Sequence, residues 1–184
     1  MATVDQILAT AYNELDYVEK PVNLTKYGEH FKTNPAQWCG LFVMWVFAQE
    51  NHRFPNTAYT PNGVRAFKNR NQWHDKGDVL PGDIIYFDFP NDQLDRVSHV
   101  GIAVHQFDNG DVLTIEGNTS GNDTGDQRNG GMVALKRRAR SLIVGWGRPI
   151  YKPADLVFQP VIVQKWRDDQ KPKPAKKTTS KAKK

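Results

Sequence analysis

The run from Trp38 to Ala48 is apolar on nearly every face and constrains the fold more than any other segment. A helix of this kind is buried on most of its faces. We therefore expect it to form the central helix of a hydrophobic core. Its start is predicted near Asn34, because asparagine is a good N-cap, Pro35 suits the first helical position and Gln37 completes a capping box.

Helical periodicity in the first part of the chain gives way to strand-like alternation after residue 78. Residues 3–19 place apolar side chains at helical spacing, residues 22–33 have the composition of a loop, and another helix is predicted from Thr60. Helices followed by strands predict an α+β domain, with N-terminal helices packed against an antiparallel β-sheet. The predicted strands are 83–89, 98–107, 112–116, 132–137 and 143–151.

The dipeptide Asn109-Gly110 lies between two of these strands and predicts a hairpin. Asn-Gly between apolar runs favours a two-residue type I′ turn. Such a turn pairs residues whose numbers sum to about 219. It would place His99 opposite residue 120, with Glu116 and Asn118 within reach on the same side.

Cys39 is the only cysteine, which excludes an intramolecular disulfide and a cysteine-built zinc site. If a helix begins near Asn34, the thiol lies in its first turns. Unpaired N–H groups and the helix dipole there favour an anion, which is one way in which proteins lower the pKa of a thiol. The sequence therefore leaves two interpretations open, a nucleophile or a small buried side chain.

His99 is the best placed partner for a nucleophilic cysteine. Alternation along 98–107 puts His99, Gly101 and Ala103 on one face of the strand. Because its neighbours on that face are small, we expect the helix that carries Cys39 to cover it. The alternative is a half-buried histidine bonded to the backbone.

A catalytic base is usually oriented by a third group, and two candidates follow in the next strand. Glu116 and Asn118 alternate onto one face, and either side chain could fix the imidazole tautomer by a hydrogen bond. Taken singly, they could equally be a rim carboxylate and a turn residue. Trp38 and Trp146 are either core residues or the walls of a substrate groove.

Five short motifs occur in an order that resembles the CHAP family, the cysteine, histidine-dependent amidohydrolases/peptidases. The resemblance covers residues 5–151. Members of this family have a papain-like fold and cut bacterial cell-wall peptidoglycan. The motifs are Tyr27-Gly28, Trp38-Cys39 with Phe42-Val43 and Trp45, Pro81-Gly82-Asp83, Ser98-His99-Val100-Gly101 and Glu116-Gly117-Asn118.

The resemblance implies a role for each matching residue. Cys39 would be the nucleophile, His99 the base, Glu116 the group that orients the histidine and Asn118 a supporting polar group. No metal or organic cofactor is implied. Some members bind calcium through acids before the cysteine, but residues 26–38 contain only Glu29, so we do not expect calcium here.

Composition divides the chain into a catalytic domain, residues 1–152, an extension, residues 153–169, and a Lys/Pro-rich tail, residues 170–184, predicted to be disordered. The segment 165–184 has a net charge of +7 against +5 for the whole chain, which leaves −2 for the rest. The basic character belongs to the tail, so the folded part requires no nucleic-acid partner. The tail is expected to raise affinity for anionic wall polymers at low salt.

The resemblance implies an N-acetylmuramoyl-L-alanine amidase or a peptidoglycan endopeptidase that acts as a monomer on bacterial peptidoglycan. The N-terminus lacks a basic region and is not a secretory signal, and no apolar run predicts membrane insertion. These features fit a phage endolysin made in the host cytoplasm and released to the wall, or a virion-associated hydrolase. The alternative is a non-catalytic module that binds wall or nucleic acid through the basic tail.

Overall fold

The structure is a computed structural model that describes residues 1–90, 92, 94, 97–122 and 125–171. The predicted tail, 170–184, lies outside the described residues from residue 172 onwards. The helices are α1 Val4–Tyr12, α2 Lys26–His30, α3 Cys39–Gln49, α4 Thr60–Lys68 and α5 Gln159–Asp169. The strands are β1 Trp73–His74, β2 Ile84–Phe87, β3 His99–Gln106, β4 Val112–Thr119, β5 Met132–Arg138 and β6 Ile143–Gly147.

The strands form one antiparallel sheet in the order β1-β6-β2-β3-β4-β5. Helices α1, α3 and α5 pack on one face, which confirms the α+β prediction. Alternation along the strands separates the two faces. The helix-covered face carries Ile84, Tyr86, Val100, Ile102, Val104, Leu113 and Ile115, and the opposite face carries Ile85, Phe87, Ala103, Val112 and Trp146.

The central helix is buried as predicted, but the prediction that it begins near Asn34 is wrong. The helix begins at Cys39, after an N-cap Trp38 that makes no side-chain cap. Asn34 instead bonds both backbone groups of Thr25, at 3.3 and 2.8 Å, so its side chain fixes the preceding loop. Residues 22–33 were expected to be a loop, but they contain α2. The side chain of Thr25 caps the start of α2 by accepting a hydrogen bond from the N–H of Gly28 at 3.0 Å.

The first helix is shorter than its periodicity indicates. It ends at Tyr12, and Asp16 has a positive φ of 67° that turns the chain toward the sheet. The N–H of Asp16 donates to the carbonyl of Val133 at 3.0 Å, and Val18 bridges Met132. Residues 14–19 therefore cover part of the outer edge of β5 instead of continuing α1.

The hairpin exists, but its predicted two-residue turn is wrong. Gln106 pairs with Val112, and after a shift between Ala103 and His105 the register moves by one more residue. Asp111 belongs to the turn, since its N–H donates to the side chain of Asn109 at 3.1 Å and its carbonyl accepts from Phe107 at 2.9 Å. The longer turn and the shift together bring residues near 117–118 toward the start of β3.

The C-terminal extension forms α5, which docks on the domain. Ile162 is fully buried, and the N–H of Phe158 donates to Asp5 at 2.8 Å. The rings of Phe158 and Tyr12 meet edge to face at 5.3 Å between centroids, and Trp166 lies 5.2 Å from Phe107. The extension therefore contributes to the same hydrophobic core as α1 and β3.

Among the helices of the described residues, none has the length and the apolar character needed to cross a membrane.

Ile162→Ala is expected to lower the free energy of unfolding by about 2–4 kcal/mol, because it leaves a cavity under α5. Chemical denaturation followed by circular dichroism measures this change. Val161→Ala is the matched control, because Val161 is half exposed on the same helix turn, and it should cost less than about 0.5 kcal/mol. Equal effects from the two variants would mean that α5 is not docked.

Candidate active site

Cys39 is the first residue of α3, closer to the helix start than the sequence indicated. Its side chain is 5% exposed. The first N–H groups of a helix have no intrahelical acceptor, so the end of α3 that carries the thiol also carries N–H donors without intrahelical partners. The next residue is necessarily glycine, because a Cβ at Gly40 would lie 2.0 Å from the carbonyl oxygen of Thr57, which packs against this end of the helix.

His99 and Glu116 form a fully buried pair on adjacent strands. His99 begins β3, and its Nε2 lies 3.0 Å from Oε2 of Glu116 on β4. Gly101 makes room for the carboxylate side chain, since a Cβ there would lie 2.6 Å from Cγ of Glu116. The bond engages Nε2 and leaves Nδ1 as the ring nitrogen available for the thiol.

Nδ1 of His99 is buried and makes no hydrogen bond within the described part of the chain. Burial by itself lowers the pKa of His99, but its interactions with Cys39 and Glu116 outweigh burial and raise the pKa to about 9. The thiol is thus a close electrostatic neighbour of the ring without forming an aligned hydrogen bond. A protonated imidazole beside the sulfur is the state that this environment favours.

The helix that carries Cys39 does not cover the face of His99, contrary to the sequence prediction. Helix α3 packs against Val100 and Ile102, on the other face of β3. The imidazole is covered instead by the rings of Phe87 and Phe89, at 6.0 and 5.6 Å between centroids. Cys39 therefore approaches the ring from the end of α3, at the edge where β3 begins.

Arg138, which the sequence analysis missed, holds the Glu116 carboxylate. Its Nε donates to Oε1 at 2.8 Å and its Nη2 donates to Oε2, while the hydroxyl of Thr114 donates to Oε1 at 2.6 Å. Burial raises the pKa of the Glu116 carboxyl, but the guanidinium and His99 outweigh it and hold that pKa well below its usual range. Glu116 is therefore a carboxylate in the folded protein.

A sequence signal for Arg138 existed in the alternation of the fifth strand. Lys136 and Arg138 fall on one face of β5, and both are almost fully buried despite their charge. Buried cations are rare unless they are paired. Extending the predicted strand 132–137 by one residue and pairing it with the strand of Glu116 would have placed Arg138 on the same face as the carboxylate.

Asn118 lies two residues after Glu116, but its side chain forms its hydrogen bonds with the loop before β5. Its Nδ2 donates to Oδ1 of Asn129 at 3.0 Å, and its Oδ1 accepts from the N–H of Gly131 at 3.3 Å. Asn118 also has a positive φ of 57°, which coincides with a shift in the pairing of β4 and β5. The carboxamide thus ties the loop after β4 to the sheet and makes no bond to His99.

The two candidate groove tryptophans are interior residues, which corrects the groove interpretation. Trp38 is fully buried, donates to Oε2 of Glu19 at 2.6 Å and stacks on Tyr27 at 5.2 Å. Trp146 is also fully buried and stacks on His74, on the sheet face opposite the helices. Neither indole has an exposed surface on which a substrate could pack.

The described residues contain no group of three or more His, Cys, Asp or Glu side chains that could hold a metal ion. The acidic loop at 122–126 is described in part. There Asp126 accepts from the N–H groups of Arg128 and Asn129, both at 2.8 Å. This carboxylate therefore stabilises the turn that leads to β5.

The geometry brings together a thiol at a helix start, a buried imidazole and a carboxylate fixed by an arginine. These are the parts of an activated nucleophile: the group that attacks, the base that takes its proton and the group that orients the base. Of the predicted site residues, Cys39, His99 and Glu116 converge, whereas Asn118, Trp38 and Trp146 make no contact with the imidazole that the structure records.

Comparisons with known proteins agree with this arrangement. The family model of the CHAP domain matches residues 31–118, which include Cys39, His99 and Glu116. The crystal structure of a wild-type endolysin, LysIME-EF1, superposes with a TM-score of 0.50 and 15% identity over 83% of this chain, and this chain covers 66% of that one. That likeness concerns the fold. No curated protein sequence matches the chain. The CHAP domain that matches residues 31–118 is the family that the order of the sequence motifs predicted.

Proposed function

We propose that this protein is a peptidoglycan hydrolase that cleaves an amide bond in the peptide part of the bacterial cell wall through a thioester. The observation that carries the proposal is the environment of the buried His99. Its Nε2 is hydrogen-bonded to Glu116, and its interactions with Cys39 and Glu116 raise its pKa. The CHAP domain match supports hydrolysis of an amide. The fold shared with an endolysin supports the wall as the site of action.

In the proposed reaction, the proton of Cys39 resides on Nδ1 of His99 before the substrate binds, and the sulfur attacks the amide carbonyl as a thiolate. The backbone N–H of Cys39, at the start of α3, is placed to donate to the developing oxyanion. The imidazolium then protonates the leaving amine and the C–N bond breaks. Water, deprotonated by His99, attacks the thioester, which releases the acid and restores the thiolate beside the protonated ring. No cofactor takes part.

Glu116 and Arg138 act on this reaction through the histidine. The carboxylate fixes the ring so that Nε2 carries a proton and Nδ1 faces the thiol, and its charge stabilises the imidazolium. Arg138 holds the carboxylate in place with two hydrogen bonds. Asn118 supports the site indirectly, through the loop that it ties to β4.

The same residues serve an N-acetylmuramoyl-L-alanine amidase and a peptidoglycan endopeptidase, so the bond cleaved depends on the substrate groove. Mass spectrometry of digested walls separates the two, because an amidase frees the amine of the first stem alanine whereas an endopeptidase frees an amine within the peptides. We propose that the protein acts as a monomer at the wall, after release from the host cytoplasm or delivery in a virion.

Cys39→Ala is expected to lower the rate of wall hydrolysis by about 10³-fold or more, because it removes the nucleophile. Turbidity loss of purified walls measures the rate, and sedimentation with walls measures binding. We expect binding to be kept, along with the melting temperature. Retained hydrolysis would exclude the cysteine mechanism, and a wild-type protein that binds walls without hydrolysing them would favour the non-catalytic binding module.

Glu116→Gln is expected to cost more activity than Asn118→Ala. The glutamine keeps the shape of the side chain but removes the charge that stabilises the imidazolium, whereas Asn118 makes no bond to the ring. Steady-state rates on soluble muropeptides compare the two, with circular dichroism to confirm that both variants fold. The opposite order in folded variants would assign the supporting role to Glu116.

The rate is expected to fall as the pH rises through about 9, because His99 then loses the proton that it gives to the leaving amine. The Glu116 carboxyl has a lowered pKa, so it stays ionised across this range. Glu116→Gln removes a charge that raises the pKa of His99, so its alkaline limb should move down by about one pH unit. An alkaline limb at the same pH in both proteins would contradict this assignment.

A further inference from the structure

A surface cavity of about 450 Å³ lies at the far end of α3 from Cys39. Its walls come from four places: the N-terminal Met1, the segment after α3, the end of α4 with the residues that follow it, and the segment after β6. Arg53, Arg70 and Gln72 line it together with the rings of Phe54 and Phe67 and with the exposed side chain of Ile150. The cavity therefore combines cationic and amide donors with an apolar wall.

The two guanidinium groups that line this cavity make no hydrogen bond or ion pair with any described residue. Arg137, Arg138 and Arg148, by contrast, each bind a carboxylate. No aspartate or glutamate lines the cavity. The acid nearest in the chain, Glu50, accepts a hydrogen bond from Thr10 and is engaged elsewhere.

The other polar groups in the cavity do not neutralise this charge. His52 is buried, and its Nδ1 accepts a hydrogen bond from the N–H of Ala2 at 3.2 Å. The side chain of Gln72 forms no hydrogen bond with the described residues and adds donor and acceptor groups beside Arg70. Two like charges that line one concave wall create a positive potential that a bound anion would relieve.

We propose that this cavity is a binding site for a phosphate-bearing ligand. Arginine presents several N–H donors in a planar fork that matches the oxygens of phosphate. The volume exceeds that of a phosphate group and lies in the range of small-molecule sites, so the half-buried ring of Phe54 and the exposed Ile150 would contact an organic part attached to the phosphate. A free phosphomonoester and a phosphodiester polymer share this chemistry.

The cavity is separate from the candidate active site. Helix α3 begins at Cys39 and ends at Gln49, a length of about 16 Å at 1.5 Å per residue. Asn51, which lines the cavity, follows the end of that helix. Loss of phosphate binding should therefore leave hydrolysis of small soluble muropeptides unchanged, which keeps this proposal distinguishable from the proposed function.

Two-dimensional NMR of the ¹⁵N-labelled full chain tests the site, with titrations of inorganic phosphate, glycerol 3-phosphate and a poly(glycerol phosphate). We expect saturable shifts of amides near Arg53, Arg70 and Ile150, and none in sodium chloride of equal ionic strength. The double variant Arg53→Gln/Arg70→Gln should bind at least about tenfold more weakly, because it loses both charge-assisted contacts. The double variant Arg65→Gln/Arg167→Gln is the control, since it removes the same charge from outside the cavity.

The control variant should bind as the wild type does. Equal losses in both double variants would show that net charge alone attracts the anion and would overturn the site, as would shifts that do not saturate or that chloride reproduces. Saturable binding of glycerol 3-phosphate identifies a small phosphomonoester as sufficient. Binding of the polymer alone identifies a phosphodiester chain as the ligand.

Discussion

The buried ion pair between Glu116 and Arg138 is the interaction on which the candidate site depends. A carboxylate removed from water is costly unless it is paired and hydrogen-bonded. Here Arg138 and Thr114 satisfy one side of Glu116, and His99 takes the remaining direction. Because the arginine keeps Glu116 ionised inside the protein, the histidine next to it can hold a proton despite complete burial.

This arrangement needs three adjacent strands in one register. His99 comes from β3, Glu116 from β4 and Arg138 from β5. A slip of one residue in the pairing of any of these strands would turn its site residue to the helix-covered face of the sheet. Gly101 leaves the space that the Glu116 side chain fills. The register shift between β3 and β4 also contributes, since it sets which residues of β4 lie opposite the start of β3.

The apolar helix α3 contributes the candidate nucleophile, Cys39, through its position. Its body packs on one face of the sheet while the histidine lies on the other, so only the first residue of the helix can reach the ring. Gly40 allows the Thr57 backbone to pack against this end and fixes where it lies. The other end of the same helix borders the cationic cavity, so the candidate active site and the proposed phosphate site lie at opposite ends of α3.

The sequence by itself determined the α+β class and the buried central helix, and it selected Cys39, His99 and Glu116 as candidate site residues, because periodicity and motif order are local properties of the chain. The tertiary structure decided the rest. Helix α3 begins at Cys39 and not near Asn34, because the side chain of Asn34 bonds the backbone of Thr25 and does not cap a helix. The hairpin register depended on the bonds of Asp111, and the role of Arg138 depended on which strand lies beside β4. Each of these outcomes reflects competition between distant partners, which no local pattern records.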